Sequence, residues 1–390
     1  MKKILFTILF VTAASAAFAD SLTVALPEVR ARRLTGTIQM DGLLTESAWT
    51  GELAQARFVQ SDPDQGASPT FPTEVCVLYD DDAIYFGARM RDTAPDSIVA
   101  RLSRRDQSSR SDEITLFLDP YHDKRSGYFF VISAAGTLRD GILFNDGWDD
   151  DSWDGVWQGR ARIDSTGWTA EMRIPYSQLR FKKSDEYLWG VNFRRTLARR
   201  NEQNMVAYTP RNESGFVSRF PHLVGIESVA PSRAIEIMPY LTTRGEFLQH
   251  AAADPFNDGS RYAPDLGADL KTAVGSKLTL NAAINPDFGQ VEVDPAVVNL
   301  SDVETFFPEK RPFFVEGSSN YDFGYGGANN YMGFNWPGPS FFYSRRVGSV
   351  PTGGNYSADY ADVPSSTSIL GAGKLTGKIF GDWNLGLMQA

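Results

Sequence analysis

The sequence predicts an all-β protein, with an N-terminal antiparallel β-sandwich (jelly-roll-like) followed by an incomplete antiparallel β-barrel region. Short runs that alternate apolar and polar residues recur along the chain, and Gly, Asp, Pro and Asn separate them. Hydrophobic residues make up 42% and charged residues 22% of the 390 positions, which is typical of a folded chain. Beyond residue 19 no apolar run reaches the roughly 18 residues of a transmembrane helix.

The first 19 residues predict a secretory signal peptide. Lys2 and Lys3 form a positive start, an apolar run follows over 4–17, and Ala17-Phe18-Ala19 has the small-x-small pattern of a cleavage site. We therefore expect the chain to be exported. Cys76 is the only cysteine, so no intramolecular disulfide can form. The formal net charge of −10 argues against a nucleic-acid partner.

We place the sandwich at residues 35–225, with short helical turns at 45–49 and after Pro175. Its clearest predicted strands are Thr73 to Leu78, Ala83 to Met90, Ile114 to Leu118, Tyr128 to Ala134, Trp168 to Ile174 and Leu188 to Phe193. The run 168–174 alternates, so its apolar residues share one face. Glu171 and Arg173 lie on the opposite face, where we expect a surface ion pair.

The character of the sequence changes near Pro231. Two runs, 266–273 and 277–284, alternate on either side of a short turn, and 369–376 with 383–387 predict a second hairpin. One apolar and one polar face fit a barrel wall with a wet interior, and they fit a soluble sandwich equally well. Roughly five or six strand candidates follow residue 231, whereas a transmembrane barrel needs at least eight. We therefore expect residues 231–390 to be the N-terminal part of a barrel domain that is truncated here.

Two families are similar to this sequence. The resemblance to a family 9 carbohydrate-binding module rests on Asp41-Gly42 with Ala48-Trp49, Val77-Leu78-Tyr79, Ile84-Tyr85-Phe86, Asp112-Glu113 with Leu116 to Asp119, and Gly167 to Glu171 with Ile174-Pro175-Tyr176. The block Asn285 to Phe314, with Tyr343 to Gly348, resembles the domain-of-unknown-function family 5916 (DUF5916). Members of that family carry a sugar-module-like region before a predicted outer-membrane barrel. The resemblances imply a bacterial protein of the outer membrane or periplasm that binds an oligo- or polysaccharide and is associated with carbohydrate catabolism.

Candidate binding residues concentrate in the segment 145–157, which combines five aspartates with Trp148, Trp153 and Trp157. Indole rings can stack on the C–H faces of sugars while carboxylates such as that of Asp154 bind hydroxyls. The alternative is a solvated acidic loop whose tryptophans plug the sandwich core.

Two further expectations concern the same region. Asp149 and Asp151 are candidate ligands for Ca²⁺, which binds several oxygens. The module resemblance adds Glu113 and Arg105 as glycan contacts, and Ser133 stands where many relatives have Asn.

Three functions remain open on the sequence alone. The first is an exported, non-enzymatic carbohydrate-binding protein of the outer membrane. The alternative is an outer-membrane transport or assembly barrel whose sandwich is a structural cap. The third is a glycoside hydrolase acting on O-glycosyl bonds, which would use two of the seven acids between Asp287 and Glu316. No spacing identifies such a pair, so the sequence predicts no catalytic residue and, apart from Ca²⁺, no cofactor.

Overall fold

The structure is a computed structural model that describes residues 28–49, 54–55, 57–231, 235–247, 249–250, 253–256, 258–275, 277–286, 309, 311–321, 342–349, 359–360, 362, 367–380 and 383–390. The predicted signal peptide, residues 1–19, lies outside the described residues. No helix within these ranges is long and apolar enough to cross a membrane.

Strands dominate the described ranges. They are β1 (Glu28–Arg30), β2 (Arg32–Arg33), β3 (Ala54–Gln55), β4 (Val59–Asp62), β5 (Thr73–Tyr79), β6 (Ala83–Arg91), β7 (Glu113–Asp119), β8 (Gly127–Ser133), β9 (Leu138–Phe144), β10 (Trp148–Asp150), β11 (Gln158–Asp164), β12 (Gly167–Pro175), β13 (Glu186–Leu197), β14 (Glu202–Met205), β15 (His222–Glu227), β16 (Ile235–Phe247), β17 (Ser260–Val274), β18 (Leu278–Ile284), β19 (Gly371–Ile379) and β20 (Trp383–Gln389). One α-helical turn, α1 (Pro312–Val315), and 3₁₀ turns at Pro95–Ser97, Tyr176–Gln178, Val217–Arg219, Ser318–Asn320 and Ser344–Arg346 complete the elements.

These strands form three sheets. The first has nine strands in the order β1-β15-β13-β7-β8-β9-β10, with β14 pairing β13 and β4. The second has six strands in the order β11-β12-β6-β5-β2, with β3 beside β5, and the third runs β16 to β20 in chain order. The pairs β1–β15 and β2–β5 are parallel, and the other described pairs are antiparallel. The predicted all-β class is confirmed, and the third sheet is open across the ranges given above.

The main core fills the space between the first and second sheets. Phe86 on β6 and Phe193 on β13 stack across this layer with ring centroids 5.1 Å apart. Trp168 and Trp189, from opposite sheets, are at most 1% exposed. Burial of such large apolar side chains is the main stabilising contribution to a sandwich. Each of the six strands predicted between residues 73 and 193 is present, and no end differs by more than four residues.

A short segment at the N-terminal end of the described chain joins the two sheets of the sandwich. Within residues 28–33, β1 pairs with β15 of the first sheet and β2 pairs with β5 of the second. Between them lies Ala31, which is 2% exposed and belongs to the main core. The segment therefore closes one edge of both layers.

The third sheet has one apolar and one polar face, as its alternation predicts. Leu241 on β16 and Leu266 on β17 are directly paired, and both are about 70% exposed. The opposite face carries Lys271 and Lys378, which contact the sandwich. The third sheet therefore turns its polar side toward the sandwich and its apolar side away from it.

Glu171 on β12 is not part of a surface ion pair, so this prediction was wrong. The segment 41–49 covers that face of the second sheet, and Glu171 is 0% exposed. Its Oε2 accepts hydrogen bonds from the backbone N–H groups of residues 41 and 42, at 3.1 and 2.7 Å. Its Oε1 accepts a third from Trp49 Nε1 at 2.9 Å. Alternation identifies two faces of a strand, but it does not show that a distant segment covers the polar one.

Candidate functional site

The three predicted tryptophans of the segment 145–157 occupy different environments. Trp148 lies on the edge strand β10, half-buried, with its ring 5.6 Å from that of Phe144. Trp157 is 5% exposed and packs in the main core. Its ring is therefore not available to a glycan in this structure. Trp157 therefore lies where the alternative expects a tryptophan of this segment, inside the sandwich core.

A buried carboxylate explains how Trp157 is fixed. Asp140 Oδ2 accepts hydrogen bonds from Trp157 Nε1 at 2.8 Å and from Arg105 Nη2 at 2.5 Å, and its Oδ1 accepts one from the backbone N–H of Gly155 at 2.8 Å. Burial raises the pKa of Asp140 to about 6 against these hydrogen bonds. Arg105 also pairs with Asp154 at 3.0 Å. The charges of Arg105 and Asp154, both predicted glycan contacts, are thus engaged within the protein.

Trp153 lies where the sandwich meets the third sheet. It is half-buried, with its ring 5.2 Å from that of Tyr128, and Lys271 Nζ from β17 lies 5.5 Å from its centroid. Lys271 also donates to the backbone oxygen of Asp154 at 2.9 Å. Trp153 therefore belongs to the junction between the sandwich and the third sheet.

A cluster of charged side chains lies on the face of the first sheet that points away from the main core; we call Glu113, Arg139 and Arg194 the charged face. They come from β7, β9 and β13, respectively. Strand register places Arg194 and Arg139 in one row across the sheet, with Thr115 and Val131 between them. Arg139 Nη2 lies 3.6 Å from Glu113 Oε2. Residues far apart in sequence are thus held together on strands of one sheet.

Two phenylalanine rings lie beneath the arginines. The guanidinium carbon of Arg194 is 5.3 Å from the ring centroid of Phe117, and that of Arg139 is 5.9 Å from Phe129. Both rings are buried in a second, smaller core on this face. Contacts of this kind use the flat side of a guanidinium group and leave N–H groups at its edge for acceptors.

The electrostatics of the charged face favour partners that both donate and accept hydrogen bonds. Burial raises the pKa of Glu113, although Arg139 and Arg194 lower it. Burial also lowers the pKa of Arg194, and the nearby charge of Arg139 lowers it further. The side chains of Glu113 and Arg139 are 15% and 21% exposed, so both remain partly accessible. The cluster offers one anionic acceptor and two cationic donors within one patch.

Asp149 and Asp151, the two residues predicted as Ca²⁺ ligands, lie at β10 and in the turn that follows it. Asp149 is exposed on β10 opposite Leu143, and its charge acts on Arg194 of the charged face. Asp151 is exposed in the following turn. Within the part of the chain that the structure describes, no group of three or more His, Cys, Asp or Glu side chains is placed to hold a metal ion. Since Ca²⁺ takes six to eight oxygen ligands, the calcium expectation gains no support.

The acids proposed for a hydrolase are only partly described. Five of the seven lie outside the described residues, and Glu309 and Glu316 lie within them. Burial raises the pKa of Glu309, but hydrogen bonds from Arg311 and Ser344 outweigh burial and lower this pKa to about 2. Glu316 pairs with Lys271 Nζ at 2.9 Å. A general acid needs a carboxyl that stays protonated near neutral pH, and Glu309 does not have that property.

The sequence does not single out Arg139 and Arg194. Each is one of 38 lysines and arginines, and neither belongs to a motif. Arg139 could be identified by treating β7, β8 and β9 as consecutive hairpins. That order places β9, which carries Arg139, two strands away from Glu113 on β7. Arg194 requires the long-range pairing of β13 with β7, which local patterns do not reveal.

Comparisons with known proteins identify one matching family model and several similar solved structures. Residues 231–390 match the model of a domain of unknown function, DUF5916, which confirms that resemblance. Among solved structures, the chain is similar to a family 9 carbohydrate-binding module from Caldicellulosiruptor kristjanssonii in complex with cellotriose. That match has 17% identity and a TM-score of 0.37, and it covers 51% of this chain and 93% of that chain.

Two further solved structures are similar over the same share of the chain. A family 9 module from the same organism in complex with glucose has 18% identity and a TM-score of 0.38, covering 51% of this chain and 95% of that chain. A candidate carbohydrate-binding protein from Bacteroides uniformis has 14% identity and a TM-score of 0.41, covering 50% and 98%. None of the curated proteins searched matches the chain.

Proposed function

We propose that this protein is an exported carbohydrate-binding protein of the outer membrane, whose sandwich binds a glycan at the charged face and catalyses no reaction there. The observation that carries the proposal is the Glu113–Arg139 pair beside Arg194, above two buried aromatic rings. Sugar hydroxyls donate to carboxylates and accept from guanidinium groups. The side chains of the charged face supply both kinds of partner.

The rigidity of the charged face supports binding. All three side chains start from strands in the middle of the first sheet, and Phe117 and Phe129 restrict the arginines from below. Groups that are already held in place lose little side-chain entropy when a ligand arrives. The resemblance of residues 35–225 to family 9 modules makes gluco-oligosaccharides the first ligands to test.

The location at the outer membrane is a further part of the proposal. The signal-peptide pattern of residues 1–19 supports export. The apolar side of the third sheet, with Leu241 and Ile284 each 70% exposed, offers a surface that lipid could cover. Glycan capture at such a surface would serve carbohydrate catabolism. Fractionation of the producing cells tests the location, because recovery only in the soluble periplasmic fraction would contradict it.

The binding test is calorimetric titration of the full chain in detergent with xylo-, gluco- and chito-oligosaccharides, with and without Ca²⁺. We expect saturable binding to at least one series. Glu113→Gln and Arg139→Gln should each weaken it at least tenfold, because each removes a charged partner of the hydroxyls. The matched control is Arg160→Gln, an exposed arginine on β11 in the second sheet, which should leave the affinity unchanged.

Three results would contradict the proposal. Binding that survives both charged-face substitutions would move the glycan site elsewhere. If the folded protein binds none of the three oligosaccharide series, the alternative in which the sandwich is a structural cap is favoured. Release of new reducing ends during the titration, lost on replacement of one acid between residues 287 and 316, would instead support the hydrolase.

A further inference from the structure

A cavity of about 200 Å³ lies where the sandwich meets the third sheet. Tyr121, Trp153 and Arg180 line it from the sandwich, and Lys277 and Lys378 line it from the third sheet. One water takes up about 30 Å³ in the liquid. The cavity therefore has room for several waters or for one small organic ligand.

Direct contacts between the two walls hold the cavity in shape. Lys378 Nζ donates to Asp123 Oδ2 at 2.5 Å and to Ser126 Oγ at 3.0 Å, both on the sandwich. Lys271 Nζ donates to the backbone oxygen of Asp154 at 2.9 Å and lies against Trp153. These contacts join the loop after β7 and the loop after β10 to the third sheet.

The charges around the cavity do not cancel. Lys378 is paired with Asp123, and the lining residue Glu316 is paired with Lys271 at 2.9 Å. Arg180 and Lys277 have no carboxylate partner among the residues that the structure describes. Two cationic groups in the lining are therefore left for an anion.

Arg180 has a further unmet requirement. Its Nη1 donates to the backbone oxygen of Ser177 at 2.7 Å, whereas its Nε is buried and has no hydrogen-bond partner within the described ranges. A buried N–H without a partner is unfavourable. Because this Nε is shielded from solvent, an anion in the cavity would bind the outer nitrogens of the half-buried guanidinium.

The rest of the lining is typical of a sugar site rather than of a simple anion site. The ring of Trp153 is half-buried, and Tyr121, Tyr128 and Phe144 add aromatic surface. The amides of Asn320 and Asn384 and the hydroxyls of Thr279 and Thr376 complete the wall. Aromatic faces with neutral hydrogen-bonding groups fit the ring of a sugar and its hydroxyls.

We propose that this cavity binds an acidic sugar, a hexuronic acid, with its carboxylate at Arg180 and Lys277 and its ring against Trp153. Uronic acids combine a carboxylate, which the two cationic groups can bind, with the hydroxyl-bearing ring that the aromatic and amide wall fits. The proposal does not depend on the charged face, which lies on a different surface of the first sheet.

The test is titration of the full chain in detergent with glucuronate and galacturonate, followed by tryptophan fluorescence and calorimetry. We expect both uronates, or one of them, to bind at least tenfold more tightly than glucose or galactose, with an affinity that falls as salt is added. Lys277→Gln should weaken uronate binding at least fivefold. Trp153→Phe should reduce the fluorescence response. The matched control is Lys183→Gln, an exposed lysine that does not line the cavity.

Several outcomes would overturn the proposal. Two of them are binding of neutral sugars, or of acetate, as tight as that of the uronates. The others are absence of uronate binding and an unchanged uronate affinity in Lys277→Gln. Lys277 is exposed, so this variant is expected to fold even if Arg180→Gln does not. Arg139→Gln should leave uronate binding unchanged, and Lys277→Gln should leave binding at the charged face unchanged. Failure of one proposal can therefore be told apart from failure of the other.

Discussion

Glu171 Oε1 accepts a hydrogen bond from Trp49 Nε1 at 2.9 Å, and both side chains are completely buried. The bond fastens the segment 41–49 to the second sheet. Burial raises the pKa of Glu171 to about 7, because the loss of hydration outweighs its three N–H donors. The folded protein therefore keeps a proton on this carboxyl at pH values where the unfolded chain has released it.

The first prediction is that stability falls as pH rises from about 4.5 to about 7. In this window the folded state binds more protons at Glu171 than the unfolded state does, so the free energy of unfolding decreases with pH, by roughly 2 kcal/mol for this group. Urea unfolding at pH 5 and pH 8 measures the difference. Glu171→Gln cannot titrate and should show a smaller difference. An equal difference in the variant would mean that other groups cause it.

The second prediction concerns Asp140. Asp140→Ala should lower the free energy of unfolding by about 3 kcal/mol, because it leaves the N–H groups of Trp157 and Gly155 buried without an acceptor and Arg105 without its buried partner. Denaturant titration measures the loss. Asp151→Ala, at an exposed position in the same region, is the control and should change stability by less than about 0.5 kcal/mol. If both variants lose a similar amount of stability, Asp140 does not have the stabilising role assigned to it.

The third prediction concerns Gly167, at the start of β12. Its φ is +138°, and an added Cβ would lie 2.0 Å from the backbone oxygen of Met90. Gly167→Ala should therefore destabilise the sandwich by more than about 2 kcal/mol, through backbone strain and displacement of β6. Gly147→Ala is the matched control, since it has open space around it. A thermal midpoint in Gly167→Ala equal to that of the control would contradict this account.

The fourth prediction concerns the junction between the sandwich and the third sheet. Lys378→Met removes the hydrogen bonds to Asp123 and Ser126. We expect a protease to cut the connection between β15 and β16 several times faster in this variant, because the two walls separate more often. Lys182→Met, at an exposed position outside the junction, should be cut at the parental rate. No acceleration in Lys378→Met would show that these hydrogen bonds do not hold the junction.

The fold could be predicted from the sequence to a large extent, because strand alternation is a local property. The predicted run 168–174 lies within β12, and the predicted hairpin 266–284 lies within β17 and β18. The parallel pairs of β1 and β2 were not predicted, since both depend on partners elsewhere in the chain. Local patterns indicate that a strand exists, but not which neighbour it pairs with.

The candidate site was less predictable for a related reason. Trp153 and Trp157 are four residues apart and equally aromatic, yet one lies at the junction and the other in the core. The difference depends on Asp140 of β9, which accepts a hydrogen bond from the indole N–H of Trp157. The charged face likewise depends on register across four strands. Composition indicates which side chains could bind a sugar, whereas tertiary structure decides which of them reach solvent.

The segment 28–33 also has a consequence for the order of folding. β15, the last strand of the first sheet in the chain, does not add at an edge but enters between β1 and β13. Val29 pairs with Leu223, so this contact cannot form until nearly the whole sandwich has been synthesised, whereas β2 can pair with β5 much earlier. Contacts between residues so far apart in sequence slow folding. The sandwich therefore reaches its complete form only when its final strand is inserted beside its first.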